Sequence, residues 1–143
     1  MGINPKKLYK EQKRKMMNLG NLELQKLLCR IMYNNKDVDA YYKIGLLYYH
    51  DRQYDKAISY FDGAIELDPT AYLLTLRGGA YFQAGHYAKA IACFDEAIEF
   101  DPQYPVAYLG RGLSYQMLGK HDLATVSFDL ARQMNRIHGQ PND

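Results

Sequence analysis

The first places to look for chemistry in this chain are four histidines (50, 86, 121 and 138), two cysteines (29 and 93) and two acid pairs, Asp95/Glu96 and Glu99/Asp101. A metal site needs three or four such ligands converging on one point. A nucleophile needs a base within hydrogen-bond reach and a third group that orients the base. Neither spacing occurs. The cysteines lie far apart without metal-binding spacing, no Gly-rich phosphate loop or nucleophile elbow is present, and no cysteine is paired with an oriented histidine. His86 and His121 fall in equivalent turns, which neighbouring units would hold roughly 10 Å apart, so they read as exposed turn residues. The acid pairs read as a solvated helix face. The expectation is a protein that is not an enzyme and that uses no metal and no cofactor. Its two thiols are expected to be reduced and packed as small hydrophobes, in a cytoplasmic setting.

What the chain does contain is a repeat. Tyr41-x-x-x-Gly45-x-x-Tyr48, Ala57-x-x-x-Phe61-x-x-Ala64 and Asp68-Pro69 return as Gly78-x-x-Tyr81, Ala90-x-x-x-Phe94-x-x-Ala97 and Asp101-Pro102, and again as Gly112-x-x-Tyr115 and Ala124-x-x-x-Phe128-x-x-Ala131. The offset is 33 residues between the first two copies (48 to 81) and 34 between the second and third (81 to 115). Self-similarity at this period marks stacked small units. Within a unit the apolar letters recur at helical spacing, break at a short turn, and recur again until Asp-Pro, because proline disfavours helical geometry in the residue before it. Each unit is therefore expected to be two antiparallel helices of about 13 residues. Glycine inside a helix costs about 1 kcal/mol against alanine, so Gly45, Gly78 and Gly112 imply close approach. The expected neighbours are Ala57, Ala90 and Ala124, with Phe61, Phe94 and Phe128 filling the space between one unit and the next.

These letters resemble the tetratricopeptide repeat family over roughly residues 38–136. The resemblance implies an all-α fold, a helix-turn-helix solenoid in which antiparallel helix pairs form a right-handed superhelix. It divides the chain into repeats at 38–70, 71–103 and 104–137. Tyr41 stands where many such repeats open with Trp, the junction after Pro69 is one residue short, and Asn135-Arg136 replaces the third Asp-Pro. Residues 1–37 read as a basic helical extension, either a degenerate repeat or a cap, and 138–143 as a frayed tail. With no helix expected after the third repeat, apolar surface is left at that end, which points to self-association.

The family resemblance also implies function: a non-enzymatic adaptor or chaperone-like module that binds a protein segment in the concave groove lined by the first helices. The layout alone resembles the small repeat chaperones of bacterial secretion systems. The groove positions not needed for the seam are Tyr42, Leu46, Tyr49, Tyr72, Leu76, Phe82, Val106, Leu109, Leu113 and Met117. They call for a protein or peptide with hydrophobic anchors. Repeats of this family that dock chaperone tails hold a terminal carboxylate with Lys, Asn and Arg. The matching positions here are Tyr42, Leu46, Leu76, Val106 and Gly110, so no Hsp70/Hsp90-type carboxylate clamp is expected. The alternative is a self-assembling scaffold, a homo-oligomer built through the groove or the uncapped third repeat.

Charge is uneven although the net is only +2. Residues 1–37 carry nine Lys/Arg against three acids, and the remainder nine against thirteen. A solvated face is the commonest outcome of such a basic head, and an acidic protein partner the next. Nucleic acid or an anionic membrane is disfavoured, because aromatic interleaving is thin and no nucleic-acid module is present. No apolar run is long enough to span a bilayer.

Overall fold

A computed structural model of the chain describes residues 22–139. Seven helices occupy the described residues, with no strand among them. They are α1 (22–33), α2 (Val38–His50), α3 (Tyr54–Leu67), α4 (Ala71–Gln83), α5 (Tyr87–Phe100), α6 (Pro105–Met117) and α7 (His121–Gly139). The pairs α2/α3, α4/α5 and α6/α7 are antiparallel hairpins, and α3 against α4 and α5 against α6 join each pair to the next. The result is the expected all-α stack.

Local chemistry sets the ends. The Asp37 carboxylate accepts from the Ala40 amide and the Thr70 hydroxyl from the Leu73 amide, satisfying orphan donors at the starts of α2 and α4. Pro105 stands in the first turn of α6, where its missing N–H is no loss. The three hairpin turns close alike. Amides of Arg52, Gly85 and Gly119 donate to Tyr49, Phe82 and Gln116 carbonyls, and those of Gln53, His86 and Lys120 to Tyr48, Tyr81 and Tyr115. This geometry puts the central residue in the left-handed region, at φ 82° for Gly85, 74° for Gly119 and 61° for Arg52. Only arginine suffers there, by about 1–2 kcal/mol. Arg52→Gly is therefore expected to stabilise the chain by about 1 kcal/mol, after the extra unfolded-state freedom of glycine is deducted. Thermal unfolding should shift up by about 2–4 °C; an unchanged or lower midpoint would contradict the strained-turn reading.

The glycines do make close approaches, but to a different neighbour. A Cβ on Gly45 would stand 2.5 Å from the Phe61 ring, one on Gly78 2.8 Å from Phe94, and one on Gly112 2.6 Å from Phe128. The phenylalanine of the second helix, not its alanine, requires the gap. A side chain on Gly110 would strike the same Phe94 ring, so that ring is clasped between glycines of consecutive pairs. Phe61, together with Ala57 and Ile58, reaches Ala80 of the following pair in one buried cluster.

At the start, α1 packs Leu24, Leu27, Leu28 and Ile31 onto Ala40, Ile44 and Tyr48 of α2. By the 33-residue offset, Leu24, Leu28 and Ile31 stand where α3 has Ala57, Phe61 and Ala64. Thus α1 occupies the place of a second helix from a preceding pair. The basic segment at 1–21 lies outside the described residues. At the far end, residues 138 and 139, expected to fray, continue α7. Asp-Pro stops α3 and α5, whereas Asn135-Arg136 removes no donor and the helix runs on. His138 Nε2 lies 2.7 Å from the Gln103 carbonyl oxygen, tying this overhang back to the turn before α6. Residues 140–143 lie outside the described residues.

The thiols divide. Cys93 is buried as expected, and burial pushes its thiol up while Arg77 pulls it the other way. Cys29 is exposed, because it falls on the outer side of the α1 stripe that packs with Leu24, Leu28 and Ile31.

Candidate binding surface

The ten surface residues named from the sequence fall into two groups. In the first, Tyr42, Leu46 and Tyr49 of α2 and Leu76 of α4 are half-buried and pack on the cluster around Phe61 and Ala80, and Phe82 of α4 is half-buried against Tyr87. They serve the seam between pairs as well as any surface. Tyr42 meets Tyr72 edge-on at 6.2 Å, Tyr49 meets Tyr54 at 5.6 Å, and Phe82 meets Tyr87 at 5.3 Å. Burial raises the Tyr42 phenol above its ordinary value, with Asp39 adding to the effect. The second group is Tyr72, Val106, Leu109, Leu113 and Met117, all exposed large hydrophobics. Four of them mark successive turns along α6, a single apolar row that no other described residue covers.

Position in the stack explains the difference. By the repeat offsets, Tyr42, Thr75 and Leu109 are counterparts, as are Leu46, Gly79 and Leu113. Tyr42 and Leu46 of α2 pack with Leu76 and Ala80 of α4, and among the described residues no further pair follows α6 and α7 to do the same for Leu109 and Leu113. Thr75 is accordingly 7% exposed and Leu109 47%. Val106 and Leu109 also line a cleft with Pro105, Phe128, Ala131, Arg132 and Asn135 at the open end. A side chain at Gly79 would meet nothing within 4 Å, so the surface beside Leu76 is left open there, whereas Gly110 belongs to the Phe94 seam.

The sequence reading missed two arginines. Arg77 of α4 donates to Asp62 of α3 at 3.0 Å and to Glu96 of α5 at 2.9 Å, so one guanidinium ties two pairs. Arg111 of α6, its counterpart, donates to Asp95 of α5 at 2.9 Å and to the Ser127 hydroxyl of α7 at 3.1 Å. Burial works against the Arg77 charge, and Asp62, Cys93 and Glu96 outweigh it, holding its pKa above the ordinary value. The signal was present, since Arg immediately precedes Gly78 and Gly112, but the shared letters were read as packing alone. These arginines sit in the seam, each bonded to side chains of two other helices.

Among the described residues no group of three or more His, Cys, Asp or Glu is placed to hold a metal. No described helix is long and apolar enough to cross a membrane.

Residues 38–70 match the family model described as tetratricopeptide repeat, and residues 78–119 match that described as TPR repeat. No curated protein matches the chain in sequence. Among solved structures, a crystal structure of MamA is similar at TM-score 0.78 and 24% identity, covering 89% of this chain and 75% of that one. The first TPR of Spaghetti (RPAP3), bound to the HSP90 peptide SRMEEVD, is similar at TM-score 0.66 and 25% identity, covering 69% and 79%. The Arabidopsis OM64 TPR domain is similar at TM-score 0.66 and 23% identity, covering 69% and 83%.

Proposed function

Since the chain belongs to the tetratricopeptide repeat family and is a protein–protein interaction module, we propose that it captures a protein segment by apolar anchors on the inner helices, as an adaptor or chaperone-like binder without catalytic parts. The observation that carries this reading is the uncovered row Val106, Leu109, Leu113 and Met117, continued by Tyr72. Isolated exposed hydrophobics are ordinary; a row on consecutive turns of one helix suits a ligand segment with spaced anchors. The half-buried Tyr42, Leu46, Tyr49, Leu76 and Phe82 form its floor and keep it rigid. The peptide bound by the first TPR of Spaghetti, SRMEEVD, has three acidic residues among its last four. In this chain the matching positions carry Tyr42, Leu46, Leu76, Val106 and Gly110, which offer no cation, so a ligand of a different chemistry is proposed here. Free thiols at Cys29 and Cys93 agree with a cytoplasmic setting.

The double variant Tyr72→Ser/Leu113→Ser tests this. Both side chains are exposed, so helicity by circular dichroism should be unchanged. Affinity for peptides selected from a displayed random library should fall by about tenfold or more, as for loss of buried aromatic and aliphatic anchors. Equal affinity would remove the inner surface from consideration. A second reading, a self-assembling scaffold, is supported by the exposed apolar end of the stack, where Leu109, Leu113 and Ile137 meet solvent. A strict monomer by light scattering at high concentration would eliminate it.

A further inference from the structure

Each helix pair presents the same surface to the next, and the chain shows twice what covers it. On α3, Phe61 receives Ala80 of α4, and Asp62 receives Arg77 at 3.0 Å. On α5, Phe94 receives Gly110 of α6, Ala97 receives Ala107, and Asp95 receives Arg111 at 2.9 Å. The start of the stack gives the complementary case. By the 33-residue offset, α1 carries Cys29 at the position of Asp62, and α2, which covers α1, carries Ile44 at the position of Arg77. An arginine appears on the covering helix where an aspartate waits beneath it, and an aliphatic residue where none does.

Among the described residues, α6 and α7 repeat the waiting surface without a cover. Phe128 and Ala131 of α7, with Pro105, Val106 and Leu109 of α6, line a cleft of about 330 Å³. Asp129 stands at the position of Asp62 and Asp95, exposed, and meets Arg132 of its own helix at 3.4 Å. Arg132 takes the place that Ile65 and Ile98 hold in the earlier pairs. An exposed pair within one helix is weak, so Arg132 can yield Asp129 to a better-placed donor and lay its aliphatic stem on the cleft wall.

We propose that this end cleft seats an amphipathic helix of another polypeptide, one that sets Gly or Ala over the Phe128 ring and, flanked by small residues, an arginine against Asp129. The described helices of a second copy do not match this pattern: Arg77 and Arg111 are engaged inside the stack, Arg30 holds Asp37 and Asp39, and the exposed Arg132 and Arg136 of α7 are not flanked by small residues on both sides. The seat is separate from the inner surface except at Val106 and Leu109, and Asp129 belongs to the seat alone.

The natural probe is the chain's own α6. A peptide of residues 104–118, bridged by a lactam to hold it helical, is titrated into the full chain and followed by calorimetry and by nuclear magnetic resonance. Saturable binding is expected, with resonance changes centred on Leu109, Asp129 and Ala131. Arg111→Glu in the peptide should weaken binding about tenfold, as for loss of a charge-assisted hydrogen bond. Asp129→Arg in the protein should weaken the unaltered peptide similarly and restore the Arg111→Glu peptide. Absence of saturable binding, or binding indifferent to Asp129, would overturn the proposal. So would self-association of the chain that Asp129→Arg removes, since the occupant would then be a second copy. Asp129→Arg should leave peptides of the inner surface bound as before, so the two sites fail independently.

Discussion

Phe94→Ala is expected to lower the free energy of unfolding by about 4–5 kcal/mol, the upper end for deleting a buried aromatic ring. The ring is only 4% exposed and lies between Gly78 of its own pair and Gly110 of the next. Cavities are least costly where neighbouring side chains relax into them. Two glycines have no side chain to offer, so the space stays open and its lining loses its contacts outright. The position is also central. Repeat stacks are held by nearest-neighbour interfaces, and this ring takes part in both the α4/α5 hairpin and the α5/α6 joint. Urea unfolding followed by far-ultraviolet circular dichroism should shift to a lower midpoint and broaden as the two ends uncouple. Phe128→Ala makes the control. Its ring meets Gly112 but no second glycine among the described residues, so the loss should be clearly smaller. Equal losses at the two positions would contradict the double clasp of Phe94.

Arg77→Ala is expected to cost about 2 kcal/mol. The arginine side chain is 17% exposed, but its partners Asp62 and Glu96 are 44% and 55% exposed. Water therefore screens both pairs, and neither acid is left buried and unpaired when the cation goes. What is lost is the charge-assisted hydrogen bonding across two joints, together with the packing of the arginine stem. Arg132→Ala, which removes an exposed pair within α7, should change stability by only a few tenths of a kcal/mol. If Arg77→Ala unfolds at the same urea concentration as the parent, the arginine rungs are ornaments of the seam and the Asp129 inference loses its template.

The helix pairs were legible in the sequence because the period carries its own stop signals. Asp68-Pro69 and Asp101-Pro102 end α3 and α5, and the turns at Gly85 and Gly119 end α4 and α6. The missing third Asp-Pro was visible too, yet its consequence, a longer α7, was read as fraying because helical continuation had no apolar stripe to announce it. The glycine neighbours were misassigned for a related reason. Spacing says that a small residue faces something large, but the crossing of the helices decides which side chain that is. The arginine rungs were hidden because polar residues beside a packing letter look like surface until a partner on another helix is seen. The division of the ten proposed surface residues into half-buried and exposed was not legible, because it depends on which of them a neighbouring described helix covers.

The central claim is that the inner surface takes apolar anchors and ignores the ligand's terminal charge. The most direct measurement is a paired titration of one selected peptide with a free and with an amidated C-terminus, beside SRMEEVD as a reference acidic tail. Equal affinities for the two forms, and no saturable binding of SRMEEVD, are expected, since Tyr42, Leu46, Leu76, Val106 and Gly110 provide no cation to lose. A loss of about tenfold or more on amidation, or tight binding of SRMEEVD, would contradict the account.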